Sequence, residues 1–252
     1  MTSSAAPVVV SCVVADAVAT ITLDSQANRN ALSAQLLAEL HVALDRATQP
    51  DIRIIVLTHA GPTFCSGIDL KERRFAHFDS APMARVFDRL MHCDQVTIAA
   101  VNGAVRAGGV GLMASCDLVV VSTATSFAFT EVRIGVAPAM IAVPIMRRVH
   151  AGHLVTPFLT GEAFTAAEAR SMGLVTHVAD DVPATVVTLC ESLAKGAPGA
   201  LAITKRLLHE VPGRPVGEAL AAMRTLSDEL FTSTEGIEGL AAFLDKRPPS
   251  WT

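Results

Sequence analysis

Short apolar runs and helical repeats alternate along the first half of the chain. The runs at 7–14 and 18–23 predict a β-hairpin, and the apolar, β-branched runs at 52–60 and 96–101 predict buried strands. Leucines over 36–44 recur with the spacing of one helix face, which predicts an amphipathic helix. Strand and helix periods therefore alternate, and this alternation is typical of the α/β class.

The second half of the chain changes from mixed to helical character. Strands are predicted at 117–122 and 126–129, and a capped helix is predicted at 164–175. Beyond that helix the pattern soon becomes purely helical. We therefore predict a core that carries the chemistry over residues 1–190 and a C-terminal helical region over residues 191–252.

Two glycine-bearing turns, at 64–71 and 101–112, each follow one of the apolar runs. Glycine lets the backbone approach a ligand closely and leaves N–H groups free to point at it. Two such turns facing each other can hold one oxyanion between two backbone donors. The segment 127–138 adds a single carboxylate, Glu131, among apolar neighbours. An oxyanion hole beside a lone carboxylate is suited to moving protons next to a thioester.

Composition narrows the classes of partner and the location. Hydrophobic residues make up 51% of the 252 residues, enough for a large core and for apolar burial between subunits. The net charge of −4, without a long basic run, argues against nucleic acid. Arg106, Asp117 and Glu131 interrupt the apolar stretches, so none of these stretches reaches the roughly 18–20 residues that a membrane-spanning helix needs. We therefore predict no membrane-spanning helix. Five cysteines without a CxxC pair, and no basic leader, predict reduced thiols and a cytoplasmic location.

Two other motifs match a known sequence pattern but lack the surroundings that their function requires. Residues 109–114 match the dinucleotide fingerprint GxGxxA, but the preceding apolar run ends at Val101, too early for a glycine turn that must begin at the strand end. The close pair His150 and His153 has Gly152 between its members and lacks a carboxylate at ligand spacing. We therefore predict neither a dinucleotide site nor a metal site.

An ordered set of motifs covers essentially the whole chain. Its members are NRNALS at 28–33, FCSGIDLKE at 64–72, NGAVRAGGVGLMASCD at 102–117, FAFTEVRIGVAP at 127–138, LTGEAFTAAEARSMGLV at 159–175 and EGIEGLAAFLDKRPPSW at 235–251. Together they resemble the enoyl-CoA hydratase/isomerase (crotonase) family. The resemblance implies an α/β, crotonase-like spiral of ββα units with a C-terminal helical oligomerisation region. It also implies a homotrimer or hexamer that acts on an acyl-CoA thioester. No separate cofactor is expected, because coenzyme A is part of the substrate.

The same resemblance assigns catalytic roles to three residues. The backbone N–H groups of Ile68 and Gly108 would hold the thioester oxygen, and Glu131 would be the acid/base that handles the proton at the α or γ carbon. The competing interpretation of Glu131 is a solvated surface glutamate or a partner for Arg133. The apolar residues around it argue against an exposed site.

Contacts with the CoA part of the substrate are implied in the same way. The residues on loops that would line the nucleotide are Asn30, Ala31 and Asp69. Lys71 occupies the place of a basic residue near the CoA phosphates. Two residues of the last helix, Phe243 and Lys246, would reach a neighbouring subunit's CoA. For each lysine, ordinary surface charge is an equally good explanation.

The chain departs from the family's usual hydratase pattern at Gly111. Hydratases of the family usually carry a second glutamate there, so that one carboxylate activates water while the other serves the α carbon. A 1,3-proton shift needs one base only. Our leading prediction is an enoyl-CoA hydratase, with a Δ3-Δ2 enoyl-CoA isomerase and a catalytically silent acyl-CoA-binding protein as alternatives. The wall of the acyl pocket is expected from residues 73–90 and 137–148, and the acyl group itself is not predicted.

Overall fold

The computed structural model describes residues 7–73 and 79–252. Its strands are β1 (Val10–Ala15), β2 (Val18–Leu23), β3 (Ile54–His59), β4 (Thr63–Cys65), β5 (Val96–Val101), β6 (Ala104–Arg106), β7 (Leu118–Ser122), β8 (Ser126–Ala128), β9 (Ala163–Thr165) and β10 (His177–Ala179). Its α-helices are α1 (Ala34–Ala47), α2 (Leu70–Arg73), α3 (Ala81–His92), α4 (Gly108–Ala114), α5 (Ala139–Met146), α6 (Ala151–Thr160), α7 (Ala166–Ser171), α8 (Val182–Ala194), α9 (Pro198–Glu210), α10 (Val216–Thr232) and α11 (Thr234–Leu244). Short 3₁₀ helices span Gln26–Asn28 and Glu131–Ile134.

A large sheet holds the strands that the apolar runs predict. Its order is β1-β2-β3-β5-β7-β10. The hairpin of β1 and β2 is antiparallel, and the other neighbouring strands are parallel. Every residue of β5 is buried, as expected for a parallel strand covered on both faces. The leucines of α1 are buried, and the Ser33 hydroxyl caps this helix by accepting from the Leu36 N–H at 3.1 Å. The predicted hairpin, strands and helix are confirmed.

A smaller sheet has the strand order β4-β6-β8-β9, and the chain passes alternately through the large sheet and this one. The chain runs from β3 to β4, from β5 to β6 and from β7 to β8, and each pair is followed by helical turns. Each pass thus places one strand in each sheet before a helix returns the chain. This repetition is the ββα spiral that the resemblance implies, so the α/β fold class is confirmed.

The structure corrects where the two glycine turns begin. They follow the short strands β4 and β6 rather than the long strands β3 and β5. Three residues seldom show alternation in the sequence. Of the three-residue strands that the structure describes, β8 lies within the predicted strand 126–129, whereas β4, β6, β9 and β10 were not predicted. Helix α4 begins at Gly108, so the glycines of the second turn adopt helical backbone.

The C-terminal helices are attached to the core by a buried ion pair. Lys205 of α9 is buried, and its Nζ lies 2.9 Å from Oδ2 of Asp117, which precedes β7. The same ammonium donates to the carbonyls of Leu90 and Gln95, each at 2.9 Å. Asp117 also accepts from the N–H and hydroxyl of Thr97. The charges are therefore both paired and hydrogen-bonded, as burial requires.

The last two helices bury few of their residues. No residue of α10, which the structure describes completely, is buried, and in α11 only Ala242 is. No single helix of the described residues is long and apolar enough to cross a bilayer, although α8 and α9 pass that test together with a bend of 110° between them. The proposed division at residues 190 and 191 falls inside α8 and stays a prediction.

Candidate active site

Three of the predicted site residues follow the carboxyl ends of neighbouring parallel strands. In the small sheet β4, β6 and β8 are adjacent and parallel. Ile68 follows β4, Gly108 follows β6 and Glu131 follows β8, each within three residues of the strand end. Carboxyl ends of parallel strands meet at one edge of a sheet, which is where ligands bind in open α/β sheets. The topology therefore gathers Ile68, Gly108 and Glu131 at one edge, with Gly108 following β6, the middle one of these three strands.

The two glycine turns face each other closely. A Cβ added to Gly108 would lie 3.6 Å from the backbone nitrogen of Ile68 and 3.5 Å from Cα of Gly67. Gly67 itself has φ +95°, a conformation that favours glycine. Neither the Ile68 N–H nor the Gly108 N–H donates a hydrogen bond to any residue within 7–73 or 79–252. Two neighbouring backbone donors are thus left for a ligand oxygen.

The first turn is held by backbone contacts rather than by reactive side chains. The Gly67 carbonyl accepts from the Leu32 N–H at 2.7 Å, and the Ser66 N–H donates to the Arg29 carbonyl at 3.1 Å. Cys65 beside it is completely buried, and burial raises the pKa of its thiol to about 12. Such a thiol is almost entirely protonated at neutral pH, so it is a poor nucleophile. Position, not side-chain chemistry, is what this turn supplies.

Glu131 is the first residue of the 3₁₀ helix Glu131–Ile134 and is half-buried. Its Oε2 atom is buried and has no hydrogen-bond partner in the part of the chain that the structure describes. Burial raises the pKa of this carboxyl above its usual value, opposed by a bond from its own backbone N–H. The neighbouring Arg133 donates to the Thr160 carbonyl instead. An unpaired, partly desolvated carboxylate is the state expected of a general base.

Helix α4 has no room for a second acid at Gly111. A Cβ there would lie 2.7 Å from Cγ2 of Ile141 and 3.0 Å from Cε2 of Phe87. Both neighbours are buried, and they come from α5 and α3. The place of the missing glutamate is therefore filled by packed apolar side chains.

Sequence reasoning assigned 73–90 and 137–148 to the pocket wall without side-chain directions. Of that range, 74–78 lies outside the described residues.

The comparisons with known proteins identify the family of the chain. A family model described as Enoyl-CoA hydratase/isomerase matches residues 14–252. The chain belongs to the enoyl-CoA hydratase/isomerase family. A Thermus thermophilus protein with a provisional enoyl-CoA hydratase name is 35% identical over 246 residues, which cover 92% of this chain and 96% of that protein. The enoyl-CoA hydratase EchA19 of Mycobacterium tuberculosis is 31% identical over 243 residues, covering 92% and 91%. A crystal structure of a Mycobacterium smegmatis enoyl-CoA hydratase has a TM-score of 0.90 at 27% identity, covering 96% and 98%.

The nucleotide-loop residues expected in this enoyl-CoA hydratase/isomerase family member lie beside the first turn. The Asn30 side chain is 1% exposed and is occupied by three contacts. Its Oδ1 accepts from the Ser25 N–H, and its Nδ2 donates to the Ala60 and Thr63 carbonyls. Ala31 is also buried. A contact of these two residues with CoA would have to come from the backbone, and their CoA role stays a prediction.

The charged residues of the same region are more accessible. Asp69 accepts from Nδ2 of Asn28 at 3.0 Å and from the backbone N–H of Lys71 at 2.9 Å. Lys71 is exposed in the first turn of α2. Asp69 and Lys71 lie next to Ile68 in the chain. Whether they bind CoA stays a prediction.

Phe243 and Lys246 lie apart from these residues in the fold. Phe243 lies at the end of α11, which packs mainly against α10, whereas Lys246 lies beyond that helix and not on it as predicted. Phe243 is 80% exposed, and Lys246 has φ +54° just beyond the helix end. Within one chain the structure does not place them in the elements that carry the other site residues. Their predicted role needs a neighbouring subunit.

Proposed function

We propose that this protein adds water reversibly to trans-2-enoyl-CoA thioesters. The observation that carries the proposal is a pair of backbone donors, Ile68 and Gly108, without a partner among the described residues, at the same sheet edge as Glu131, whose Oε2 atom likewise has no partner there. Enolate chemistry needs this combination, because charge develops on the thioester oxygen while a proton moves at a neighbouring carbon. The hydratase names of relatives at 31–35% identity support the same reaction.

In the proposed reaction Glu131 handles both proton transfers. Its carboxylate removes a proton from water as the water oxygen bonds to C3 of the acyl chain. The electrons of the C2–C3 double bond move onto the thioester oxygen, where the N–H groups of Ile68 and Gly108 stabilise the enolate. The protonated Glu131 then delivers its proton to C2. A single donor of this kind contributes roughly 2.7–4 kcal/mol to a transition state of similar charge.

The rest of the proposal concerns substrate binding and assembly. Asn30, Ala31, Asp69 and Lys71 would hold the nucleotide part of CoA. Phe243 and Lys246 would serve the CoA of a neighbouring subunit in a homotrimer or hexamer. The high exposure of Phe243 and of other apolar side chains of α10 and α11 supports such an assembly. We also keep a cytoplasmic location and the absence of a separate cofactor as parts of the proposal.

A second reaction is favoured by the packing around Gly111. With Ile141 and Phe87 in contact with this position, α4 offers no carboxylate to hold a second proton or a water molecule. A Δ3-Δ2 enoyl-CoA isomerase needs neither. There Glu131 would remove a proton from C2 of a 3-enoyl-CoA and return it to C4, through the same enolate. Both reactions use one base and one oxyanion hole.

The deciding experiment offers the purified protein crotonyl-CoA, a longer trans-2-enoyl-CoA and a 3-enoyl-CoA in H₂¹⁸O, with products identified by mass. A hydratase gives a product heavier by one labelled water. An isomerase converts the 3-enoyl-CoA, without incorporating label, into a 2-enoyl-CoA of equal mass, which is separated from the starting thioester by chromatography. Glu131→Gln should lower either rate by about 100-fold to 10,000-fold. Glu162→Gln, which changes an exposed glutamate outside the site, is the matched control. Tight binding of every thioester without turnover would favour the silent acyl-CoA-binding protein.

A further inference from the structure

Ala107, directly before the Gly108 donor, has a backbone conformation that is unusual for a residue with a side chain. Its φ is +47° and its ψ is −121°, the values of a turn position usually taken by glycine. A methyl group at such a position is strained, and strained residues gather at functional sites. The sequence motif does not single out Ala107, because the identity of an alanine does not reveal an unusual backbone conformation.

The torsion angles of Ala107 aim one of the two donors. The Gly108 N–H belongs to the peptide group that joins residues 107 and 108. The orientation of that peptide about the Ala107 Cα–C bond is the ψ angle of Ala107. The Ala107 N–H donates to the Ala128 carbonyl of β8 at 3.0 Å. This bond holds the backbone before Ala107 in place, so the whole segment cannot rotate without breaking it. The direction of the Gly108 N–H therefore depends on the ψ angle of Ala107 and on the hydrogen bond that the carbonyl of the same peptide accepts from the Val110 N–H at 2.9 Å.

The methyl group of Ala107 also lies between the two turns. A Cβ added to Gly67 would lie only 2.9 Å from the Ala107 methyl carbon. The methyl group thus occupies the space directly over Gly67, whose next residue is the second donor, Ile68. Close contact on one side and the β8 hydrogen bond on the other hold Ala107 in the strained conformation. The same contact sets how near the two turns can approach.

We propose that Ala107 is a positioning residue, whose methyl group keeps the two turns at the spacing at which the Ile68 and Gly108 N–H groups share one thioester oxygen. This inference rests on the oxyanion hole of the proposed function. Glycine at this position would relax the backbone and remove the spacer. The turn would then lose its backbone strain, and the Ile68 and Gly108 N–H groups would point less accurately at one thioester oxygen.

The first test is Ala107→Gly, compared with Ala17→Gly in the β1–β2 turn, where Ala17 has φ +61°. Replacing alanine by glycine at positive φ relieves strain, so neither variant should melt below the wild type, and a rise of about 2–4 °C is expected. Only Ala107→Gly should lose kcat, by about 10-fold to 100-fold, with KM little changed. Ala107→Ser keeps the Cβ and should retain the wild-type kcat. Equal loss in Ala17→Gly, or no loss in Ala107→Gly, would overturn the proposal.

A second measurement does not depend on turnover. Butyryl-CoA with a ¹³C-labelled carbonyl has no double bond to hydrate or shift, and its infrared carbonyl stretch falls when the oxygen accepts hydrogen bonds. Wild-type protein should lower this frequency, and Ala107→Gly should lower it by less. If the wild type does not bind or shift this ligand, the oxyanion hole fails and the inference fails with it. If both proteins shift it equally, only the role of Ala107 fails.

Discussion

Gly108 and Gly111 lie one helical turn apart in α4, yet their surroundings are opposite. A Cβ at Gly108 would approach only the end of the Leu32 side chain closely, at 3.1 Å, and would otherwise sit beside the two free donors. A Cβ at Gly111 would strike Ile141 and Phe87 inside a close-packed core. One glycine leaves room for a ligand, and the other leaves room for the protein's own side chains.

The difference teaches that a glycine in a motif has two physical meanings. At Gly108 the missing side chain exposes a backbone donor, so substitution should harm the reaction. At Gly111 it permits two helices to approach α4, so substitution should harm the fold. The same comparison bears on the chemistry, because the filled space at Gly111 leaves Glu131 without a second carboxylate from α4. Substitutions at the two positions should separate activity from stability.

Gly108→Ala should give the largest effect on activity. The new methyl group would stand where the thioester oxygen must approach the donors, and losing one such donor costs about 100-fold to 1,000-fold in kcat. Folding should be little changed, because the end of the Leu32 side chain can move by a few tenths of an ångström. Steady-state kinetics and a thermal melt of the same sample measure both. Ile68→Val is the control, since its donor is a backbone group that the substitution keeps. A fully active Gly108→Ala protein would contradict the assigned oxyanion hole.

Much of this comparison was within reach of sequence reasoning. The hairpin, β3, β5 and β7 follow from local patterns, and the structure contains them. The capping box of Thr165 and Glu168 is likewise present at the start of α7. The resemblance also named Gly111 as the departure from the usual hydratase pattern. Local propensity and ordered motifs therefore carried the fold class and the candidate residues.

What remained out of reach depends on contacts between distant segments. The three-residue strands β4 and β6, which place the two turns, are too short to leave a periodic signal. The filling of the Gly111 site joins α3, α4 and α5, and the ion pair of Lys205 with Asp117 joins α9 to the start of β7. The strain at Ala107 is a property of the backbone, which the identity of an alanine does not reveal.

The pH dependence of the reaction tests the Glu131 side of the site. Burial raises the pKa of this carboxyl above its usual value of 4.5. The base form is required for hydration, so kcat/KM should fall about tenfold per pH unit below the raised pKa. An acid limb centred at or below 4.5 would contradict a desolvated base.

Protein stability should also depend on the ionisation of Glu131, but with the opposite sign, because the charged form that the reaction needs destabilises the fold. A raised pKa means that the folded protein favours the protonated form, so the charge of Glu131 costs stability at neutral pH. This cost is absent below the ordinary value of the unfolded chain, near 4.5, and is fully present above the raised pKa. Glu131→Gln should therefore melt higher than the wild type at pH 7 and no higher at pH 4. Thermal melts at the two pH values check this sign.

Gly111→Ala should have the smallest direct effect on chemistry and a clear effect on stability. The added methyl group would lie 2.7 Å from Cγ2 and 2.9 Å from Cβ of Ile141, too close for a side-chain end to yield, and such overpacking costs about 1–3 kcal/mol. Gly217→Ala in α10 is the matched control, because a Cβ there meets nothing within 4 Å and should stabilise its helix slightly. Combining Gly111→Ala with Ile141→Ala should shrink the added cost, since removing Cγ2 relieves the nearest contact. Denaturant unfolding of the wild type, Gly111→Ala, Ile141→Ala and the double variant measures this coupling. Purely additive losses would show that Cγ2 of Ile141 does not set the space at Gly111, since the Cβ at residue 141 stays in every variant.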